Sequence, residues 1–143
     1  MKKLIARLKK DQRGLTLVEL LAVVVILAIV AAIAFVVIGK VIENSKKDAV
    51  VADAQQMIAA AKLYEAGGGK IESSVDSDKL QEEGVLGKLI DPWDKKETST
   101  YIGSVTKTDA GYSVTLNGKK CEISSSEEDL IEKGRDMCGQ TTK

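Results

Sequence analysis

The longest uncharged stretch of the chain lies close to its amino terminus. Residues 20–38 read LLAVVVILAIVAAIAFVVI and contain no charge, glycine or proline. A helix of this length spans about 28 Å, which matches a bilayer core of roughly 30 Å. The pattern therefore predicts one membrane-spanning helix.

Apolar residues continue at helical spacing beyond this stretch. Five of them recur at steps of four and three residues, as in one stripe of a helix: Val50, Ala54, Met57, Ala61 and Tyr64. Three glycines at 67–69 are expected to stop that helix. We expect one long helix with a transmembrane half at residues 15–39 and an amphipathic half at residues 40–66.

The remaining residues predict a small head that packs on the amphipathic half of the helix. Residues 67–98 are expected to form a connecting loop with one short helix, capped by Asp76, Ser77 or Asp78. Residues 99–143 are expected to form the rest of the head, an antiparallel β-meander and a final segment. The pattern predicts strands at 100–106, 112–116 and 120–123.

Two local motifs are expected to shape the end of this head. Asn117 and Gly118 predict a two-residue hairpin turn between the last two strands. Ser125 and Glu128 have the spacing of a capping box and predict a final helix at about residues 127–137. The predicted fold class is α+β, with a long membrane-spanning helix packed on a small antiparallel sheet and a short carboxyl-terminal helix.

Charge is distributed unevenly, although 21 basic and 21 acidic residues balance over the whole chain. Residues 1–14 hold six basic side chains and one acidic one, a local charge of +5, and the rest of the chain carries −5. Basic residues beside an apolar span stay on the cytoplasmic side, so residues after Lys40 should lie outside. An acidic head argues against nucleic acid as its main partner.

The sequence contains no histidine. This excludes Ser-His-Asp and Cys-His nucleophile pairs, and zinc sites that need histidine. The glycine run at 67–69 lacks the Gly-Lys-Ser/Thr ending of a phosphate-binding loop and is interpreted as a linker. We therefore predict no catalytic residues, no cofactor and no enzymatic activity.

Cys121 and Cys138 are the two cysteines of the chain, and their spacing forms no CxxC pair. Without histidine they are poor candidates for zinc. A disulfide between them would stabilise the head by roughly 3 kcal/mol on the chain-entropy model and would indicate an oxidising, extracytoplasmic location. The alternative is two buried free thiols in a reduced compartment.

An ordinary secretory signal is the alternative to a retained membrane span. Ala32, Ile33 and Ala34 supply an A-x-A pattern after a basic region, and cleavage there would leave a chain that begins at Phe35. The apolar stretch is, however, longer than the roughly seven to fifteen residues of a usual signal core. Its length favours a membrane span.

Glu19 stands at the edge of the apolar stretch. A carboxylate costs roughly 2 to 3 kcal/mol at depth in a bilayer, and less near the interface. The residues one helical turn further on, Ala22 and Val23, provide no cation, so a counter-charge must come from the other direction or from another chain. The alternative is a carboxylate that reaches the lipid headgroups.

Residues 13–19 read RGLTLVE and lie between the basic leader and the apolar helix. This arrangement resembles the processing site of type IV pilins and of the pseudopilins of type II secretion and DNA-uptake machines. The resemblance implies that a prepilin peptidase cuts after Gly14 and methylates the new amino terminus at Leu15. Glu19 would then be the fifth mature residue. Two features depart from the family pattern: Leu15 stands where phenylalanine is commonest, and no proline precedes Pro92.

The resemblance also implies a function. The chain would be a structural prepilin-like subunit, assembled through its amino-terminal helix into a type IV pilus (fimbrium), a DNA-uptake (competence) pilus or a type II secretion pseudopilus. The alternative is an unprocessed, single-pass membrane-anchored binding module outside the cytoplasm.

Partners and location follow from the same resemblance. The implied partners are the membrane before assembly, further copies of the chain in a homo-oligomeric filament, sibling minor pilins, the peptidase, an assembly ATPase and an inner-membrane platform protein. DNA would be a partner only of a competence pilus. The subunit would cross the cytoplasmic membrane once, with its leader inside and its head outside, before entering a cell-surface or periplasmic filament.

Two residue pairs in the head gain meaning from the resemblance. Residues 91–94, Asp-Pro-Trp-Asp, resemble part of a calcium-holding loop of some major pseudopilins, which makes Asp91 and Asp94 calcium candidates. Carboxylates beside a proline also form ordinary solvated turns. Pilins commonly carry a disulfide-bounded region late in the chain, and Cys121 and Cys138 lie at such a place.

Overall fold

The computed structural model describes residues 2–94 and 101–139, with side chains from Thr16 onward. Its elements are, in chain order, α1 (Lys2–Ala66), β1 (Ser74–Asp76), α2 (Ser77–Glu82), β2 (Ile102–Thr108), β3 (Gly111–Asn117), β4 (Glu122–Ser126), α3 (Glu127–Lys133) and a 3₁₀ helix (Gly134–Met137). The strands form one antiparallel sheet in the order β1-β2-β3-β4. The predicted α+β class is confirmed. Residue 100, the predicted start of the first strand, lies outside the described residues.

The chain divides into two compact units, Met1–Ile42 and Glu43–Lys143. The first unit is the amino-terminal part of α1, and its large apolar side chains from Leu17 to Ile42 are 50–79% exposed. By length and composition, α1 can cross a membrane. The apolar surface of this unit therefore has no cover within the unit itself.

The second unit has an apolar core between the carboxyl-terminal part of α1 and one face of the sheet. The predicted helix stripe supplies four fully buried side chains: Val50, Ala54, Met57 and Ala61. The three longer strands supply the opposing buried side chains: Val105, Val114, Leu116 and Ile123. The stripe is thus the part of α1 that packs on the sheet.

Gly103 on β2 allows α1 to approach the sheet closely. A Cβ atom at this position would lie 2.8 Å from Met57 Cε and 2.8 Å from Leu116 Cδ1. Any side chain there would have to displace both buried groups. The spacing between helix and sheet therefore depends on this glycine.

The carboxyl-terminal end of α1 lies immediately before the glycine run that is expected to stop it. The backbone N–H of Gly67 donates to the Leu63 carbonyl (2.9 Å) and that of Gly69 to the Tyr64 carbonyl (3.0 Å). Gly68 between them has φ of +97°, a left-handed conformation that side chains disfavour. The run ends α1 by supplying this conformation.

Polar contacts fasten the same end of α1 to the rest of the head. Glu65 accepts hydrogen bonds from Lys107 Nζ and Tyr112 Oη. The bond from Lys107, followed by the one from Tyr112, holds the pKa of Glu65 below its usual range. Lys62 Nζ lies 2.5 Å from Glu127 Oε1 at the start of α3. These exposed contacts orient the helix end against β2, β3 and α3.

The sheet has a fourth strand that the sequence analysis places in the connecting loop. β1 pairs with residues 104–106 of β2, and the backbone N–H of Lys107 donates to the Ser73 carbonyl (3.0 Å). Three residues are too short for an alternating pattern to mark them as a strand. The predicted connecting loop therefore contains an edge strand as well as its short helix.

The prediction of a two-residue hairpin turn at Asn117 and Gly118 is wrong. Asn117 is the last residue of β3 and pairs with Glu122, so a longer connection separates the strands. The backbone N–H of Gly118 donates to the Cys121 carbonyl (3.0 Å), and φ of Gly118 is not positive. A two-residue type I′ turn needs positive φ at both central residues, which this loop does not provide.

The last helix is shorter than predicted and begins with a different cap. Ser126, one residue after the predicted cap Ser125, accepts a hydrogen bond from the backbone N–H of Asp129 (3.2 Å). Gly134 has φ of +52°, and there α3 ends and the 3₁₀ helix begins. The single predicted helix runs through Gly134, whose positive φ ends α3 in the structure.

A disulfide joins Cys121, just before β4, to Cys138, just after the 3₁₀ helix. The two Cα atoms are 4.8 Å apart and the cysteines are 17 residues apart in sequence. Cys121 is fully buried in the core, so the bond anchors the final segment to the sheet. The predicted disulfide is present.

Asp53 lies in α1 beside the buried stripe, where it is half-buried. Removal of water from the carboxylate raises the pKa of Asp53 to about 6. The hydroxyl of Tyr101 is fully buried without a hydrogen-bond partner among the described residues, and the charges of Asp53 and Asp91 add to the burial that raises the pKa of Tyr101. An ionised Asp53 is thus a destabilising group in the head.

Removal of the disulfide is expected to destabilise the head. Replacing Cys121 and Cys138 with serine releases a loop of 17 residues in the unfolded chain. On the chain-entropy model this lowers the free energy of unfolding by about 3 kcal/mol. Urea unfolding of detergent-solubilised protein, followed by the fluorescence of Trp93, measures the change. Wild-type protein in excess reductant should behave like the variant, and an unchanged urea midpoint would contradict the prediction.

Replacing Asp53 with asparagine is expected to stabilise the head at pH 7. The folded state holds the Asp53 proton more tightly than the unfolded state, so wild-type stability is highest below about pH 4 and falls as the pH rises to about 6. Because solvent still reaches the carboxyl, we expect a gain of about 1 kcal/mol from the variant, well below the full electrostatic value. Urea midpoints across this pH range measure the effect.

The matched control is Asp48→Asn, which removes an exposed carboxylate five residues earlier in α1. Asp48 pairs with Arg135 (3.1 Å), so its loss should leave stability unchanged or slightly lower at pH 7. The wild-type protein should lose stability relative to Asp53→Asn as the pH rises from 4 to 6. If it does not, Asp53 is not the group that makes the stability of the head depend on pH.

Candidate functional site at the start of the apolar helix

The candidate processing site lies within α1. Gly14, Leu15 and Glu19 all belong to this helix, and for the first two the structure describes only the backbone. Glu19 lies four positions after Leu15, which corresponds to about 6 Å along the helix axis. An amino terminus created at Leu15 would therefore stand about one helical turn from the Glu19 carboxylate.

The Glu19 side chain is exposed on α1 and, among the described side chains, has no ion-pair or hydrogen-bond partner. Its neighbours one turn further on, Ala22 and Val23, are exposed and apolar. The carboxylate thus belongs to an apolar surface without a counter-charge in the described residues. Its partner must come from the region before it or from another molecule.

The helix around Glu19 presents apolar side chains in every direction. From Val23 to Ile42 its large apolar side chains are at least half exposed, and Phe35, at 79%, is the most exposed of them. Such a surface requires a non-aqueous environment, either lipid or the apolar surface of other protein helices. The arrangement suits a segment that anchors in a membrane and packs with other helices.

The two calcium candidates lie together, but Asp91 is already engaged. Asp91 is buried, its Oδ1 accepts the Trp93 backbone N–H (2.8 Å), and its Oδ2 accepts the Lys119 backbone N–H (2.6 Å). Asp94 Oδ2 lies 3.8 Å from Lys119 Nζ. No group of three or more acidic or cysteine side chains within the described ranges could hold a metal ion. Calcium binding at this loop stays a prediction.

Asp91 is a structural anchor that the sequence analysis missed. Its two oxygens join the loop at residues 91–94 to the turn after β3, 28 residues further along the chain at Lys119. Gly118 completes the contact, since a Cβ there would lie 2.8 Å from the Cys121 carbonyl and 3.3 Å from Asp91 Oδ2. The Asp-Pro signal indicated the local turn, but nothing in the sequence indicated the distant partner.

Comparison with protein families gives one match, to the prokaryotic N-terminal methylation motif at residues 9–35. The matched range contains Gly14, Leu15, Glu19 and most of the apolar stretch, and it ends before the head begins. Comparison with curated proteins found no significant match, and comparison with solved structures found none either. The matched motif, on a helix that can span a membrane, identifies this chain as carrying the prepilin signature of type IV pilins and pseudopilins.

Proposed function

We propose that the protein is a structural subunit that is cleaved between Gly14 and Leu15, methylated at Leu15 and assembled through α1 into an extracytoplasmic filament. This proposal rests on one observation: the methylation motif lies on an apolar helix whose surface is exposed. Between residues 14 and 39 of that helix, Glu19 is the one charged residue. A family of structural subunits shares this motif, and its members are not enzymes.

The pairing of Glu19 with a processed amino terminus supports assembly. Cleavage creates an ammonium group at Leu15, about one helical turn from Glu19. In a bundle of identical helices, the amine of one subunit meets Glu19 of a neighbour. Opposite charges attract strongly where little water screens them, whereas a lone buried charge is strongly destabilising. The pair therefore favours a defined axial position of each helix.

Loss of the leader supports release from the bilayer. The leader carries a net charge of +5. Moving such a cluster of charges through hydrocarbon is far more costly than moving an apolar helix end with one amine and one carboxylate. Processing therefore makes extraction of α1 into a filament feasible, and the other helices then replace lipid around Leu17 to Ile42.

The proposed partners follow from this path. Before assembly the partner is the cytoplasmic membrane, with the leader inside and the head outside. Processing requires a prepilin peptidase, and extraction requires an assembly ATPase and an inner-membrane platform protein. The filament contains further copies of the chain and sibling minor subunits, whether it is a pilus, a competence pilus that handles DNA or a secretion pseudopilus.

Processing predicts a defined mature mass. Protein isolated from its native host should begin at Leu15 and carry one additional methyl group, which intact-mass spectrometry detects directly. Replacing Gly14 with valine should block cleavage, because a branched side chain then occupies the residue before the cut. A wild-type chain that keeps residues 1–14 would support the membrane-anchored binding module, and one that begins at Phe35 would support ordinary secretion.

Glu19→Ala is expected to separate processing from assembly. The variant keeps Gly14 and Leu15, so cleavage should proceed, but without a counter-charge for the amine its incorporation into sheared filaments should fall at least tenfold. Immunoblots of cell-bound and sheared fractions measure both steps. The control is Glu43→Ala, which removes an exposed carboxylate of α1 that lies 3.6 Å from Lys47 and should assemble normally. Normal filaments from Glu19→Ala would refute the proposed pairing.

A further inference from the structure

An apolar groove lies between α1 and α3 on the surface of the head. It has a volume of about 410 Å³, and Gln55, Ile58, Glu127 and Ile131 line it. Ile58 is buried, whereas the side chain of Ile131 is 67% exposed. Covering this isoleucine would remove apolar surface from water, which favours association. We call the feature the α1–α3 groove.

The α1–α3 groove carries a negative charge that the head does not neutralise. Glu127 lines the groove, and Lys62 Nζ lies 2.5 Å from its Oε1. Glu128 is exposed, lies three positions before Ile131 on α3 and forms no ion pair within the described part of the chain. A cation on another molecule can therefore pair with Glu128 beside an uncovered isoleucine.

A basic loop lies beside a second exposed isoleucine. Lys119 and Lys120 are exposed in the connection between β3 and β4. The backbone N–H of Lys119 donates to Asp91 Oδ2 (2.6 Å), so Ile90, which precedes Asp91 and is 46% exposed, lies near this loop. Lys119 Nζ lies 3.8 Å from Asp94 Oδ2, whereas Lys120 forms no ion pair with any residue that the structure describes. We call Ile90, Lys119 and Lys120 the basic knob.

β4 separates the basic knob from the α1–α3 groove. Lys120 lies two residues before this strand, and Glu127 is the first residue after it. The seven positions from one to the other correspond to about 23 Å of extended chain. This distance is too long for Lys120 to pair with Glu127 or Glu128 of the same head. The knob and the groove are therefore available to other molecules.

Contacts with α1 place the knob and the groove at different positions along that helix. The disulfide joins the start of β4 to the 3₁₀ helix, and Arg135 of this helix lies 3.1 Å from Asp48 of α1. Just after the end of β4, Glu127 contacts Lys62 of α1. Asp48 and Lys62 are fourteen positions apart, about 21 Å along the helix axis. Because this length matches that of the strand, β4 runs along α1, and the knob and the groove lie at opposite ends of the head.

We propose that the basic knob of one subunit docks in the α1–α3 groove of the next subunit, with Lys120 against Glu128 and Ile90 against Ile131. A second copy of the chain is the occupant because the knob and the groove are complementary in charge and each has an exposed isoleucine. Each head uses its knob on one neighbour and its groove on another. Such a head-to-tail contact continues as an open chain. The inference rests on the proposed function, because the filament supplies the axial succession of parallel subunits.

Apolar contact and charge contribute differently to this docking. An exposed ion pair adds little affinity by itself, so the attraction comes mainly from covering Ile90 and Ile131. The charges select the orientation of the partner. Two grooves that faced each other would bring Glu128 against Glu128, and this repulsion disfavours a symmetric dimer. The contact is therefore specific for knob against groove.

A charge exchange in the native host tests the docking. Lys120→Glu and Glu128→Lys, each alone, place like charges against each other and should reduce sheared filaments about fivefold. The chain with both changes restores opposite charges and should assemble nearly as wild type. The matched control is Glu72→Lys, which reverses an exposed charge outside the knob and the groove and should assemble normally. Urea unfolding followed by Trp93 fluorescence verifies that each variant head is folded.

Cross-linking tests the same contact without a filament. A zero-length carbodiimide reagent joins amines to carboxylates that touch, and it is applied to the concentrated full-length chain in detergent. Mass spectrometry should find Lys120 joined to Glu128, a product that can only link two copies, in dimers and longer chains. The link between Lys62 and Glu127 within one chain is the internal control for the reagent. High salt and Glu128→Gln should both remove the intermolecular product.

Three results would overturn the proposal. The first is normal filament assembly by both single variants, and the second is a defect that the combined variant does not relieve. The third is a cross-link from Glu128 to a different protein in sheared filaments, because the partner of the groove would then be a sibling subunit. If the wild-type chain forms no filaments, the proposed function fails, and the presence or absence of the link between Lys120 and Glu128 in detergent decides the docking.

Discussion

The large apolar side chains of α1 between Leu17 and Ile42 are exposed in the unit formed by residues 1–42. They need an environment that shields them from water. Under the proposed function, lipid would cover this surface in the membrane and identical helices would cover it in the filament. Both environments would exclude water, so Glu19, the one charge between residues 14 and 39, would need a partner in each of them. Cleavage at the proposed processing site would supply such a partner by making a new amine beside it. One constraint thus connects the leader, the cut site and the carboxylate.

The head depends on α1 in a different way. Its sheet is small, and α1 supplies seven of the eighteen buried core residues among those described, including Val50, Ala54, Met57 and Ala61. Gly103 brings the helix and sheet into close contact, and the contacts of Lys62 and Glu65 hold the end of the helix against the strands. A small domain of this size needs such additional constraints, and the disulfide between Cys121 and Cys138 is another.

The features that the sequence predicted are those that local chemistry determines. The apolar span follows from its length and lack of charge, the buried stripe of α1 from periodicity, and the stop at Gly67 from glycine conformation. The methylation motif is a short contiguous segment. The missed features depend on distant partners. β1 is a strand only because β2 pairs with it. Gly118 forms no tight turn because Asp91 binds the next backbone N–H, at Lys119. In both cases the local sequence contains no signal that identifies the distant partner.

The same reasoning applies to the functional residues. Gly14, Leu15 and Glu19 can be proposed from sequence because the methylation motif that contains them is contiguous in the chain. The role of Asp91 could not, because the backbone N–H that it accepts, at Lys119, lies 28 residues further along the chain.

Because the disulfide stabilises the head, the stability of the head depends on the redox state of the compartment that contains it. Cys121 and Cys138 can form their bond only in oxidising surroundings. A subunit inserted in the wrong orientation would keep both thiols reduced and its head would open more often, which exposes it to cytosolic proteases. Correctly oriented subunits would escape this degradation. Under the proposed topology, the bond would make the lifetime of each copy depend on its orientation in the membrane.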